Sequence, residues 1–314
     1  MSRPSRDSNK IPRRISLPCK IRSPARCLNW PKSSLEHGLK LYEPAQRVLY
    51  ADLTSVDTRV ALLGYLANTL ACSGELDQAR SRCDESIVEA RDTLHAPTLA
   101  HSLWHAWCAG WCAHLEPTTL LPYADELLEL STDRGLMFWH KMGTMARGWC
   151  LAGMGSGEQG LALLADGVSN FGASSNGPLF LTMLADAFRI VGQPDAGLAR
   201  LNEAERQVEA TQVRWWQSEV LRLRGALLML IGDHIAAEAN FRDAIAAARR
   251  QRAKFFELRV ALDLVRHLHH QGRPGEARDL LGPLYGSFTE GFDTPDLKEA
   301  KLLIHGPAHE QRQA

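Results

Sequence analysis

The protein has 314 residues, of which 45% are hydrophobic, and its 36 basic and 36 acidic side chains leave no formal net charge. A chain of this size can bury a large core, and its balanced charge excludes a global attraction to nucleic acid or to acidic membranes. It has no apolar run of about 18 residues and no apolar core after the first basic residues, so we predict neither a membrane span nor a secretory signal and expect a cytoplasmic protein.

The first 34 residues are strongly basic. Residues 1–34 hold nine Lys or Arg side chains and one acid, Asp7, which leaves 27 basic and 35 acidic side chains in the rest of the chain. The net charge of residues 1–34, the basic arm, is therefore about +8, and that of the rest of the chain, the body, is about −8. Five prolines, seven serines and no apolar period predict disorder for the arm. It is compatible with nucleic-acid binding, with an organelle-targeting peptide, or with a solvated tail that docks on the acidic body.

A repeat with a period near 40 residues fills 35–306, and 307–314 is predicted to be a flexible tail. In "GDHIAAEANFRDAI", small or aromatic residues follow Gly232 at steps of five, nine and twelve: Ala237, Phe241 and Ala244. Copies of this pattern recur at intervals of 37 to 41 residues. A near-constant interval of this length is typical of a stacked helical array. The anchors of the copies are Gly74, Leu115, Gly155, Gly192, Gly232 and Gly272, of which Leu115 marks a degenerate copy.

Each copy is predicted to be a helix, a glycine turn and a second helix. Apolar or small residues recur eleven, seven and four positions before each anchor, which is the spacing of one helix face. The glycine permits the positive φ that ends a helix tightly, and the small residue at step five lets the two helix backbones approach. The predicted helices lie near 57–72, 75–92, 98–114, 118–132, 136–153, 157–171, 178–191, 195–210, 213–231, 234–251, 254–271 and 274–287, with a capping helix at Asp296–Ile304.

No β-branched alternation of five or more residues is found outside these helices, so we predict no strands. The predicted fold is all-α: a right-handed α-solenoid of about six TPR-like helical hairpins.

Four stretches carry a resemblance to a known family: "LEHGLKLYEP", "FWHKMGTMARGWCLAGMG", "RWWQSEVLRLRGALLM" and "LYGSFTEGFDTPDLKEAKLLI". From Leu35 to about Ile304 the chain resembles the tetratricopeptide-type C-terminal region of certain bacterial multidomain signalling proteins. Those proteins carry a class III adenylate or guanylate cyclase domain, or a transcriptional-regulator domain, followed by a predicted ATPase module. The resemblance begins inside a hairpin and leaves 1–34 unmatched, so we expect a fragment or derivative of a longer ancestor that lacks the catalytic parts.

Two patterns imitate chemical sites. A literal G-x-G-x-x-G at 155–160 follows a predicted helix and not a strand, so we interpret it as the turn of the repeat. His101, His105, Cys108 and Cys112 form one helical stripe, but ligands spread over three turns cannot close one tetrahedral metal site. The odd number of cysteines favours reduced thiols that pack as small hydrophobes. We therefore predict no catalytic residue, cofactor or metal.

A stacked array presents a concave surface lined by the first helix of each pair. Outward positions on these helices predict a partner-binding groove that is apolar and aromatic toward the middle and basic toward the C-terminus. Such a groove suits a protein or peptide with an acidic segment; the alternative is ordinary solvated helix faces. The predicted groove residues are Asn68, His105, Met145, Trp149, Asp186, Arg189, Glu219, Arg222, Arg259, Arg266 and His269.

These patterns together predict a non-catalytic protein–protein interaction or regulatory module. The resemblance implies that it is the sensor or scaffold part of a bacterial cyclase- or ATPase-type signalling protein without its catalytic domains. Two alternatives are a nucleic-acid-associated fragment of a transcriptional regulator and a remnant of a class III adenylate cyclase. An enzyme with an unrecognised site would show a deep polar pocket instead of an open groove.

Overall fold

The computed structural model describes residues 32–47, 55–169 and 176–305. Most of the predicted basic arm, 1–31, and the predicted tail, 307–314, lie outside the described residues. Every regular element within the described ranges is helical. The protein is therefore all-α over these ranges, as predicted.

Fourteen α-helices and one short 3-10 helix, Pro44–Gln46, are found in the described part of the chain. All twelve predicted repeat helices and the capping helix are present, and most ends agree within a few residues. The largest shift is at the ninth predicted repeat helix, which begins at Gln217 instead of 213. The α-helices are α1 Lys32–Leu41, α2 Thr58–Ser73, α3 Leu76–Asp92, α4 Ala96–Cys112, α5 Pro117–Asp133, α6 Met137–Gly153, α7 Gly157–Ser169, α8 Gly177–Ile190, α9 Pro194–Thr211, α10 Gln217–Leu230, α11 His234–Gln251, α12 Lys254–His270, α13 Pro274–Tyr285 and α14 Pro295–His305.

The first helix corrects the predicted boundary of the basic arm. Lys32, Ser33 and Ser34 were assigned to the arm, but they form the first turn of α1. Leu35 of this helix is fully buried, because α1 packs against α2. This apolar contact stabilises the helix, which begins three residues before the end of the arm that charge and composition predict.

The helices pack mostly as pairs of sequence neighbours: α2 with α3, α4 with α5, α6 with α7, α8 with α9, α10 with α11 and α12 with α13. Each pair also contacts the next pair along the chain. This arrangement is consistent with a helical repeat. None of the helices in the described ranges combines the length and apolar character that crossing a lipid bilayer requires.

The repeat residues have the packing roles that their spacing predicts. Gly232 has a φ of 81° between α10 and α11, and the other four glycine anchors also have positive φ. At step nine of the same unit, the Phe241 ring occupies the space beside Gly225, where a Cβ would lie 2.6 Å from the ring. A close backbone approach joins α6 and α7, where Gly148 faces Gly160, the residue at step five. The helical-hairpin interpretation of the repeat is thus confirmed locally.

The C-terminal segment folds back onto the first helix pairs, which the period of the repeat does not predict. Phe288 packs over Gly74, and Gly291 packs against Leu76. Leu76 and Phe288 belong to one buried apolar cluster together with Leu297 of α14. The two ends of the described array are therefore in contact. The inner helices, which are the first helices of the six pairs, contact one another in a ring and enclose an interior.

Candidate functional site

Most residues of the predicted groove lie in this interior. The contact between the two ends places the inner helices opposite one another, and α2 touches α12 directly. Arg222 and His269 are partly buried, and Arg189 and Arg266 keep more than a third of their side chains exposed. The role of these positions in partner binding stays a prediction. The buried members are Asn68, His105, Met145, Trp149, Asp186, Glu219 and Arg259.

The arginines of the predicted basic end are paired with acids of the same chain. Arg222 contacts Glu219 at 3.0 Å and Asp263 at 3.1 Å. Arg259 contacts Glu219 at 2.9 Å, and Arg266 contacts Asp263 at 2.6 Å. Their charge is therefore offset internally, which weakens the argument for an acidic partner segment.

The buried carboxylates remain ionised because of these arginines. Burial by itself would raise the pKa of Glu219, but the charges of Arg222 and Arg259 outweigh burial and hold the pKa below its ordinary value. The same balance holds for Asp186, where Arg189 and Arg222 lower the pKa against the effect of burial. The interior thus contains a network of paired charges.

Arg259 connects this network to the end of a distant helix. Its Nη1 donates to Glu219, and its Nη2 donates to the carbonyl oxygens of Trp111 and Cys112 at 3.0 and 2.9 Å. These carbonyls lie at the C-terminal end of α4, where the helix dipole favours a cation. A residue of α12 therefore holds the end of α4 by both charge and hydrogen bonds.

An aromatic cavity of about 500 Å³ lies beside this network, between α2, α4, α6 and the residues that precede α10. Among its described lining residues there is no Asp, Glu, Lys or Arg. Two predicted groove residues, Asn68 and His105, lie in its wall. Five tryptophans also line the cavity: Trp104, Trp111, Trp139, Trp215 and Trp216.

Two histidines, His101 and His105, contribute to the cavity wall. His101 is 5% exposed, and neither of its ring nitrogens has a hydrogen-bond partner among the described residues. Burial lowers the pKa of His101 to about 4. Burial and the neighbouring His101 also hold the pKa of His105 well below its ordinary value. Both rings are therefore neutral near pH 7.

The hydrogen bond of His105 leaves an acceptor of Asn68 without a partner. Asn68 Nδ2 lies 2.6 Å from His105 Nδ1. With the amide nitrogen as the donor, Nδ1 accepts and the ring proton lies on Nε2. Asn68 Oδ1 has no partner among the described residues. Two residues of the cavity wall, Asn68 and His101, thus contain polar atoms that lack a partner among the described residues and have almost no accessible surface.

Replacing His101 by leucine is expected to reduce the acid sensitivity of the fold. An unfolded histidine titrates near pH 6.5, whereas His101 titrates at about 4 in the folded protein. Between these values the unfolded chain binds more protons, so a fall in pH lowers stability there. When the pH falls from 6.5 to 4, the variant should lose about 3 kcal/mol less of its unfolding free energy than the wild-type protein does. Urea unfolding at a series of pH values measures this, with the exposed His270→Gln as control; an unchanged pH dependence in His101→Leu would refute it.

The residues considered as a metal stripe are core residues of α4. Cys108 and Cys112 are buried, and burial raises the pKa of the Cys108 thiol well above its ordinary value. Over the described ranges, no group of three or more His, Cys, Asp or Glu side chains is placed to hold a metal ion. Cys108 and Cys112 pack as small apolar groups at the boundary between cavity and core.

The sequence interpretation missed part of this site. Spacing assigned the tryptophans mostly to the core, and neither His101 nor Trp216 was named as a site residue. The available signal was aromatic density, as in "WHAWCAGW" and "RWW". These stretches are more than 100 residues apart, so only the tertiary structure shows that they share a cavity.

The fold and cavity define an all-helical protein of paired helices around an aromatic interior. No protein-family model matches the chain. It is similar to an uncharacterized protein of Rhizobium meliloti (strain 1021), with 25% identity over 251 residues that cover 77% of this chain and 23% of that protein. The chain thus spans less than a quarter of the length of this relative. The similarity is distant and assigns no family.

Proposed function

We propose that the chain is a non-catalytic regulatory module, built as a right-handed α-solenoid of six TPR-like hairpins. It would be the sensor part of a longer bacterial signalling protein of the kind that carries cyclase or ATPase domains. One observation carries this proposal: helix α4 both lines the cavity and receives the contacts that join the two ends of the array. A change at the cavity can therefore alter how the ends are held.

The two roles of α4 are separated along its length. His101 and Trp104 contribute to the cavity wall, while the carbonyl oxygens of its last turn accept hydrogen bonds from Arg259. Just after the helix, His114 Nδ1 lies 2.6 Å from Asp296 Oδ1 of α14. A small shift of α4 would therefore act on α12 and α14 together, because packed helices move as rigid units.

The outer part of the end contact is polar and solvent-exposed. Glu290 accepts hydrogen bonds from the backbone N–H groups of Asp77 and Gln78 at 3.1 and 3.2 Å, at the N-terminus of α3. Arg80 contacts Asp293 at 3.2 Å, and more than half of each side chain is exposed. Exposed pairs contribute about 0–1 kcal/mol, so this contact can open at lower cost than the apolar helix pairs.

The length of the Rhizobium relative supports a modular role. The chain matches less than a quarter of that protein, as expected for one module among several. A helical module whose two ends meet can transmit a signal to neighbouring modules by opening or closing that contact.

Hydrogen exchange tests the proposed switch. In the wild-type protein, the amide hydrogens of residues 286–294 and of the first turn of α3 should exchange through a local opening. That opening should cost less free energy than the opening through which the amide hydrogens of α8 exchange. Glu290→Ala should accelerate exchange in these two segments by roughly tenfold, which corresponds to about 1.4 kcal/mol, because two N–H groups lose their carboxylate acceptor.

The matched control is Glu205→Ala, which removes an ion pair of 2.8 Å with Arg224 away from the end contact. It should leave exchange of 286–294 unchanged. If this segment exchanged only with global unfolding, at the same free energy as α8, the end contact would not act as a switch and the proposal would fail.

A further inference from the structure

The size of the aromatic cavity suits a small molecule. Its volume of about 500 Å³ lies within the range of small-molecule sites, roughly 300–1,000 Å³. This is room for a ligand of roughly two or three rings.

The arrangement of the wall favours an aromatic ligand. Trp111 and Trp216 are stacked with ring centroids 5.1 Å apart, and Trp215 meets Trp216 edge-on at 4.7 Å. On another side, Trp139 is edge-on to His101 at 5.8 Å. The wall is therefore rich in aromatic rings, and an aromatic ligand gains from offset stacking and edge-to-face contacts in addition to buried area.

The charge of the wall disfavours an ionic ligand. None of the described lining residues carries a formal charge near pH 7, since His101 and His105 are neutral. An ion in the cavity would lose its hydration without gaining a counter-ion, which is costly. The paired arginines and carboxylates of the interior already have partners within the protein.

The unpaired polar atoms indicate where a ligand would form hydrogen bonds. A buried polar group without a hydrogen bond is unfavourable. A neutral imidazole offers one donor and one acceptor, and both nitrogens of His101 lack a partner among the described residues. Asn68 Oδ1 adds an acceptor. These atoms have almost no accessible surface, so hydrogen bonds to a ligand that carries a donor and an acceptor require the His101 ring and the Asn68 amide to turn toward the cavity.

From these observations we infer that the cavity binds an uncharged, planar aromatic molecule, and that His101 orients it by hydrogen bonding. This inference rests on the proposed sensor function and names the class of molecule that would be sensed. Trp139 supplies an aromatic contact at the partly exposed side of the cavity. His101 supplies the polar contact within it.

Two dyes with the same ring skeleton test the class of ligand on the full chain. N-phenyl-1-naphthylamine is neutral and has one N–H group, and 8-anilinonaphthalene-1-sulfonate adds a sulfonate to it. We expect saturable binding of the neutral dye, seen as energy transfer from tryptophan, and binding of the sulfonate at least about tenfold weaker. Equal affinity for both dyes, no saturable binding of the neutral dye, or its displacement by phenyltrimethylammonium would each overturn the inference.

Variants test the position of the site. Trp139→Ala should weaken binding of the neutral dye about tenfold, because it removes one aromatic wall. His101→Leu should weaken it several-fold while raising the midpoint of thermal unfolding, because it removes an unpaired buried polar group. Ile235→Ala is the control: its side chain is exposed, outside the cavity lining and away from the end contact, so affinity should not change.

Equal binding by wild type and Trp139→Ala would place the dye elsewhere and refute the inference. The hydrogen-exchange test of the end contact uses no ligand. Failure of dye binding would therefore refute only the class of ligand, while failure of the exchange test would refute the switch itself.

Discussion

Replacing Arg259 by methionine is expected to lower the free energy of unfolding by about 3–5 kcal/mol. The arginine side chain is 4% exposed, and its partner Glu219 is 1% exposed. Methionine preserves much of the packing volume, but it leaves a buried carboxylate with only Arg222 as its counter-ion. It also removes both hydrogen bonds to the carbonyl oxygens at the end of α4.

Urea unfolding followed by circular dichroism measures this loss. The matched control is Arg266→Met, since Arg266 is 44% exposed and pairs with Glu299 at the surface. That variant should change stability by no more than about 1 kcal/mol. Similar losses in both variants would contradict a special role for the buried arginine. A smaller loss when Arg259→Met is combined with Glu219→Gln would show that the uncompensated carboxylate causes the effect.

The substitution Gly160→Ala is expected to destabilise the protein by about 3 kcal/mol. Its new Cβ would overlap the backbone nitrogen of Ala152 and the carbonyl oxygen of Gly148 on the facing helix. The approach is mutual, because a Cβ on Gly148 would lie 2.7 Å from the carbonyl oxygen of Gly160 and 2.9 Å from the nitrogen of Leu164. Backbone atoms cannot rotate away, so α6 and α7 would have to separate.

Gly275→Ala on α13 is the matched control, since open space surrounds that position. It should be neutral or stabilising by up to about 1 kcal/mol, because alanine loses less conformational freedom on folding. Thermal unfolding of both variants compares them. If Gly160→Ala were as stable as Gly275→Ala, the close contact between α6 and α7 would not contribute to the fold.

The local part of the fold was predictable because it depends on residues near one another in sequence. A glycine with positive φ and a small residue five positions later specify a tight turn and a close helix pair, as Gly155 and Gly160 do. The helix at Lys32 shows the limit of composition as a guide, because burial of Leu35 outweighs the charge and serines around it.

The candidate site was predictable only in part. The stripe of outward positions included Asn68 and His105, and both line the cavity. The same stripe predicted an unpaired basic end. That expectation did not allow for acids on neighbouring helices, such as Asp263 beside Arg222. A single periodic pattern does not show which residue on one helix pairs with which residue on a helix about 40 positions away.

The amino-acid sequence alone determined the helices, their turns and their pairing, because these depend on contacts within one repeat. Only the tertiary structure decided that the ends meet, as in the contact of Glu290 with Asp77. In stacked helical arrays a small rotation from one helix pair to the next accumulates, so one repeat does not specify contacts between distant pairs. Seven of the eleven predicted groove residues are buried in the folded protein, and Asn68 and His105 line the aromatic cavity.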